Sequence, residues 1–417
     1  MGRRIPPSLC ARCKGYKKLC GLPTCPILER FRVHASTASR IAGDDVEGDT
    51  PPSVIVGEHG YPKVPVLYHI PPGIHGEEAA ARDAPKQWAS ERLPLRRIIE
   101  YRSSLLAALT RVPATRPDIL YEKEISIAAV SEKPVDSEAE LARRPTPSLR
   151  FDGLLAPLGP SAPSRRIEVA SNPRPPRPLE KRIWDDARST EAVVELYMNG
   201  LDVYQIIPAL SLGLLGRIRS RRLVPTRWAI TAVDQTISNW LIHRVRSLDT
   251  IDRYEVYHGG YLGNYFTVIL APHSFAAELI EVWYPLTPWT GHARKPVIYR
   301  IEETTTLRMN VMDGGYLAVR LPLAEHMYRR RRQAAAIVIR EITREYYAPV
   351  GNWHIRETMR RTLSQKPLAV TDSLEEALRI AAGKLRSREA REALATSPLA
   401  RRLRATRSLD AYLQGNA

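Results

Sequence analysis

The run Asn172-Pro-Arg-Pro-Pro-Arg-Pro178 constrains the fold of this chain more than any other stretch. Proline fixes its own φ and has no backbone N–H to donate, so no helix can propagate through four prolines in seven residues. Together with Arg143-Arg-Pro-Thr-Pro147 it marks a shift toward Pro, Ser, Arg and small residues, from which a Pro-rich strap or linker is predicted over 134–182. The apolar segment Leu154 to Leu158 inside it favours a strap along a surface over a free linker. On this reading 31–133 form the first part of a core and 183–371 its main part. With 417 residues the chain can bury a large core.

Around the strap, helical and strand patterns mix without regular alternation, which predicts an α+β fold rather than a doubly wound sheet. Ser53 to Val56 and Val64 to Tyr68 read as strands joined by a turn at Glu58 to Pro62. Pro94 to Leu109 carries apolar residues at helical spacing. Ile183 to Gly200 and Asp202 to Leu210 read as helices, the first stopped by Asn-Gly. Tyr254 to His258 and Tyr265 to Leu270 read as a hairpin across the glycine-containing turn 259–264. Three histidines, His59, His69 and His75, match no metal-ligand spacing.

Leu223 to Leu241 concentrates the most chemistry. Pro225 fixes the approach, and a helix is expected to start near Thr231, which has capping-box spacing to Asp234. Arg227 would then stand ahead of a helix N-terminus, a pairing that suits phosphate, or it would close a buried ion pair beside a core Trp228. Further on, Arg329, Arg330, Arg331 and Arg332 follow one another on a predicted helix and cannot all be buried. Glu341, Arg344 and Glu345 are expected to continue that helix. Trp353, Arg356 and Arg360 share one helical face, either a stacking and phosphate surface or a core tryptophan with flanking salt bridges. Acidic pairs at Glu278 and Glu281, and at Glu302 and Glu303, are expected to serve the many arginines.

All four cysteines, Cys10, Cys13, Cys20 and Cys25, fall in the first 25 residues. Their spacing suggests a four-thiolate Zn2+ module over 1–30, in which metal replaces a core; two disulfides or an iron–sulfur cluster are the alternatives. The net charge of +17, from 62 Lys plus Arg against 45 Asp plus Glu, calls for an acidic partner, with nucleic acid ahead of membrane. No apolar run is long enough to span a bilayer, and no apolar stretch follows the first arginines, so a cytoplasmic, nucleoid-associated protein is expected.

Residues 372–404 read as a basic helical tail, and 405–417 end in a pattern like a sliding-clamp-binding peptide. Leu409 is the aliphatic plug, and Tyr412 and Leu413 are the two large residues of a single helical turn. Thr406 stands where glutamine is expected, and Leu413 where a second aromatic is.

Several motifs, taken together, resemble the archaeal Nre DNA repair family along nearly the whole chain. They are the cysteine cluster, Ser53 to Pro62 with Asp83-x-Pro85-x-x-Trp88, Val224-Pro-Thr-Arg-Trp228, Gly314-Gly-Tyr316, and Gly351-Asn-Trp353 with Arg356-Glu357. The resemblance implies a DNA-damage-response protein with a zinc-finger-like N-terminus and a peptide that recruits it to the sliding clamp (PCNA). It supplies no catalytic motif. DNA would be met by Arg227, Trp228, Arg329, Arg330, Trp353, Arg356 and Arg360. The rival is an enzyme acting on a nucleotide or nucleic acid in a pocket of Arg227, Trp228, Asp234, Tyr316, Arg356 and Glu357. A tRNA or ribonucleoprotein factor also fits the charge.

Overall fold

The computed structural model describes residues 12–13, 17–21, 25–41, 43–145, 158–287, 289–290, 293–304 and 313–405. Two six-stranded sheets carry the architecture. Sheet one contains β1 (Asp45–Thr50), β2 (Val54–Val56), β3 (Lys63–Ile70), β4 (Leu106–Pro113), β5 (Val135–Leu141) and β6 (Ser161–Val169), in the order β1-β5-β6-β4-β3-β2. Sheet two contains β7 (Tyr254–Tyr261), β8 (Asn264–Ala271), β9 (Ala276–Trp283), β10 (Val297–Glu303), β11 (Ala335–Ile342) and β12 (Ala369–Thr371), in the order β10-β9-β11-β8-β7-β12. Each sheet has one parallel pair, β4 with β6 and β9 with β11, and is otherwise antiparallel. The α+β class is therefore as expected.

Both predicted hairpins form, β2 with β3 and β7 with β8. The second is tighter than predicted: its turn is Leu262-Gly263, and Gly259 and Gly260 lie within β7. Gly259 is needed for a different reason, since a Cβ there would come within 2.4 Å of Thr362 Oγ1 on a helix crossing the strand.

The predicted strap is the largest departure. Residues 134–182 supply β5 and β6, which lie between β1 and β4 inside sheet one, and the helix Arg177–Ile183. Val135, Ser137, Ala139 and Leu141 point inward with period two, but two of the four are small, so the strand signal is faint. The helix predicted from Pro94 to Leu109 stops at Ser103, and its last leucines enter β4. The Arg-rich helix likewise ends at Arg330, where Arg331 adopts a left-handed conformation; Glu341 belongs to β11 rather than to a continuing helix. The helix after Ile183 begins only at Ser189 and runs to Met198, while Val203–Ser211, capped by Asp202, lies within one residue of the expected bounds at each end.

One apolar cluster joins sheet one, the long helix Thr226–Val245, the helix Gly314–Arg330, residues of the helix Trp353–Ser364, and one face of sheet two. The opposite face of sheet two packs against Leu374–Lys384, Arg388–Ala395 and Pro398–Ala405. The basic tail is thus part of the body. Two buried carboxylates secure it. Glu341 accepts the backbone N–H groups of Arg386 and Ser387 at 3.0 and 3.1 Å, and Glu278 accepts that of Leu399 at 3.2 Å and the Ser397 hydroxyl.

Burial also sets a pH dependence. Burial, reinforced by nearby Arg102, Arg330 and Arg340 respectively, pulls His69 and His326 down to about 4 and His354 to about 3. Because an unfolded imidazole protonates near pH ~6.5, the unfolded chain takes up protons first as pH falls. Their contribution is complete above about pH 6.5 and is lost as pH drops toward the folded values. The urea midpoint should therefore fall between pH 6.5 and 4, and His354→Asn should flatten part of that slope.

Candidate functional site

The Gly314-Gly-Tyr316, Gly351-Asn-Trp353 and Asp83-x-Pro85-x-x-Trp88 motifs meet where helices pack, Gly314 against Asn352 and Trp353 against Trp88. The long helix begins at Thr226, five residues before the predicted start. Thr226 Oγ1 accepts the Val56 N–H at 2.9 Å and lies 2.9 Å from Ser211 Oγ, so the first turn is fastened to β2. Arg227 and Trp228 consequently point outward. Trp228 is 55% exposed, and the Arg227 side chain is 82% exposed, with only a 3.5 Å contact to Glu58 in the β2–β3 turn. Arg217, Arg219 and Arg222 are exposed in the segment leading into this turn.

Downstream, Gly314 and Asn352 are in close apposition: a Cβ on Gly314 would lie 2.8 Å from Asn352 Nδ2. Trp353 is buried, donates its indole N–H to Val350 O at 2.6 Å, and meets Trp88 edge-to-face at 5.5 Å. Trp88 in turn donates to Ala81 O at 2.7 Å, and Asp83 pairs with Arg102 at 2.5 Å. Trp353 is thus a core tryptophan, not a stacking platform.

Asp234 and Arg356 form the centre of this junction. Both side chains are fully enclosed, and Arg356 Nη2 reaches Asp234 Oδ1 and Oδ2 at 2.9 and 2.7 Å. Burial acts to lower the Arg356 pKa, yet the Asp234 charge and hydrogen bonds hold it above the ordinary arginine value; burial also pushes the Asp234 carboxyl up, against the downward pull of Arg356. Asp234, expected to cap a helix or to share a pocket with Arg356, is its buried partner, and of the two readings of Arg356, a phosphate surface or a salt bridge beside a core tryptophan, the second is what forms. Tyr316 is equally enclosed and donates to Glu303 at 2.6 Å. Arg320 joins Glu303 through two bonds of 2.6 and 2.8 Å and donates to Ser238 at 2.7 Å; Ser238 donates to Asp234 O at 2.6 Å.

The polar chain continues outward. Arg356 donates to Tyr204 at 3.1 Å, Tyr204 to Glu357 at 2.7 Å, and Arg360 to Glu357 at 2.8 Å and to Glu325 at 2.7 and 2.9 Å. Burial works against the Arg360 charge, and the two carboxylates more than compensate, raising its pKa. Tyr197 donates to the same Glu325 at 3.0 Å. This end opens into a cleft of about 890 Å³ lined by Lys86, Tyr197, Leu241, Glu325, Arg329, Glu357, Arg360 and Arg361, among others.

The predicted residues therefore separate. Asp234, Tyr316 and Arg356 are sealed in the interior, Glu357, Arg360 and Arg329 border the cleft, and Arg227 and Trp228 lie on the outer surface. The six proposed pocket residues do not line one cavity. Arg330 binds Glu255 at 2.5 and 2.8 Å. Tyr204, Glu325, Lys86 and Arg361 were not singled out from sequence; the available signal was the one-turn spacing of Glu357 and Arg361 on an amphipathic helix.

At the N-terminus, Cys13 is buried, Cys20 and Cys25 are half-buried, and none of these three is in a disulfide; Cys10 lies outside the described residues. The Leu19 N–H points at Cys13 Sγ at 3.4 Å. Asp49, His75 and Asp136 bring ligand atoms within 4.8 Å of one another, with His75 and Asp49 bonded at 3.0 Å. His69 is buried against Ser53. Thr406, Leu409, Tyr412 and Leu413 lie outside the described residues. Among the described residues no helix is long and apolar enough to cross a membrane.

The helix junction and its flanking sheets coincide with a family match. Residues 19–290 match the family described as archaeal Nre, N-terminal, and 302–412 match archaeal Nre, C-terminal, so this chain belongs to the archaeal Nre family. Among curated relatives it is 37% identical to DNA repair protein NreB of Archaeoglobus fulgidus over 89% of this chain and 91% of that one. It is 34% identical to DNA repair protein NreA of the same organism, over 91% and 94% of the two chains. To DNA repair protein NreA of Haloferax volcanii it is 36% identical, over 77% and 78%. No solved structure matches.

Removing Asp234 strands the Arg356 charge in the interior. Asp234→Ala should cost about 3–5 kcal/mol in chemical denaturation, and Asp234→Leu with Arg356→Met should recover most of it.

Proposed function

We propose that this chain is a DNA damage repair factor that binds DNA and is recruited to the sliding clamp. The observation carrying the repair role is similarity along most of the chain to three proteins named for DNA repair. DNA contact is supported by Trp228, an exposed large aromatic beside an exposed arginine on the first turn of a long helix in a protein of net charge +17. An indole offers a face on which an unpaired base stacks, and the guanidinium meets phosphate. Arg329, exposed at the end of its helix, is a separate basic position beside the cleft. Zn2+ held by Cys10, Cys13, Cys20 and Cys25 would brace the N-terminal segment, each thiolate completing a tetrahedral site.

Clamp recruitment rests on Leu409, Tyr412 and Leu413 with Thr406, a segment whose first three named positions in chain order, Thr406, Leu409 and Tyr412, fall within the C-terminal family match. The plug-and-two-large-residue spacing is the supporting feature.

Affinity for single-stranded DNA should drop steeply with salt as phosphate contacts release counterions. Arg227→Ala with Trp228→Ala should weaken it about tenfold or more without lowering thermal stability. Salt-independent binding, or an unchanged affinity in that variant, would count against the surface. Separately, a clamp pull-down should lose the protein when Leu409 and Tyr412 are both replaced by alanine; full retention would remove the recruitment step.

A further inference from the structure

The cleft at the outer end of the polar chain has a distribution of groups that the repair role does not explain. Its volume of about 890 Å³ lies within the roughly 300–1,000 Å³ typical of small-molecule sites. Three zones line it. At the floor, the Glu357 side chain is only 10% exposed; its Oε1 accepts Tyr204 and Arg360, while its Oε2 receives no hydrogen bond from a described residue. Glu325 and Asp202, the other carboxylates of the cleft, have both oxygens engaged, Glu325 by Arg360 and Tyr197, and Asp202 by the Tyr204 N–H and Lys86. The wall is apolar and aromatic, formed by Tyr197, Leu201, Leu241 and Tyr328 with the half-exposed Met198. At the rim stand Arg329 and Arg361, both exposed and neither in an ion pair with a described residue.

Floor and rim are held in fixed relation. Glu357 and Arg361 are four residues apart on one helix, so their side chains are neighbours along a single turn. The floor is preorganised because Arg360, Tyr204, Glu325 and Tyr197 fix one another, and Arg360 is fixed by three hydrogen bonds to two carboxylates.

The geometry points to a binding site for one nucleotide: the exocyclic amino group of a base donates to Glu357 Oε2, the ring lies on the Tyr197–Leu241–Tyr328 wall, and the phosphate meets Arg329 and Arg361. A carboxylate oxygen without a protein partner accepts an N–H or O–H, an apolar wall suits a planar ring, and two guanidiniums at the rim suit a phosphate dianion. An amine without phosphate leaves the rim unused, and inorganic phosphate leaves the wall and floor unused. The ligand's source is either a free nucleotide or an unpaired nucleotide of DNA. The site deepens the proposed DNA binding in the second case and stands without it in the first.

Calorimetric titration of the full chain with dAMP, adenosine and inorganic phosphate tests the site directly. The expected order is dAMP first, with adenosine and inorganic phosphate each at least tenfold weaker. Arg329→Ala with Arg361→Ala should weaken dAMP at least tenfold and bring it level with adenosine. Both residues are exposed, so thermal stability should be unchanged. Glu357→Gln should weaken dAMP and adenosine alike while leaving inorganic phosphate unaffected. If Glu357→Gln does not fold, Met198→Trp, at a half-exposed wall position, tests the wall by filling it.

No dAMP binding, or dAMP binding unaffected by the arginine pair, overturns the proposal. A second arm compares a matched duplex with one carrying a bulged adenine. Preference for the bulge that disappears in the arginine variant assigns the site to DNA; no preference, with dAMP binding intact, assigns it to free nucleotide. Failure of the DNA-binding reading is distinct: loss of all DNA affinity with dAMP titration preserved.

Discussion

The enclosed pair Asp234–Arg356 is the interaction on which the helix layer depends. It joins the middle of the long helix to the first turn of the helix Trp353–Ser364, and both groups are out of water. A charge pair in such a place gains little net stability over an apolar pair of similar shape, but it tolerates almost no displacement, because a shift of either helix would strand a charge. Glu303, Arg320 and Ser238 then tie the Gly314–Arg330 helix to the same point. The consequence is register: three helices that could slide on apolar contacts are held to one relative placement.

Sheet two shows the same logic on its other face. β11 is buried along its whole length yet carries Arg340 and Glu341 side by side. Strand alternation sends them to opposite faces. Arg340 turns toward the helix layer, where it meets Glu281 at 2.6 Å and Asn264, and Glu341 turns toward the tail, where it takes two backbone N–H groups and the Tyr284 hydroxyl. Neighbouring charges in one central strand thus organise two separate layers.

Much of the local structure was legible. Hairpins flanked by alternating residues, the helix after Gly200 and the helical tail follow from period alone. The strands β5 and β6 were hidden for a physical reason: their inward positions are partly Ser and Ala, and Pro163 and Pro-rich neighbours suggest loop, whereas pairing on both sides decides the outcome. Leu105 to Leu109 fits a helix face and a buried strand equally well, and only the sheet chooses. At the site, the sequence marks both Arg356 and Asp234, but nothing in a single sequence states that residues 122 positions apart will pair. The exposure of Arg227 and Trp228 depends on Thr226 bonding to β2, a contact across 170 positions.

The docked tail has a mechanical meaning. Its last described helix ends at Ala405, packed on sheet two, and Leu409 follows four residues later. Four residues reach at most about 14 Å even when fully extended. Any partner that holds Leu409 is therefore held within that distance of the end of the docked helix.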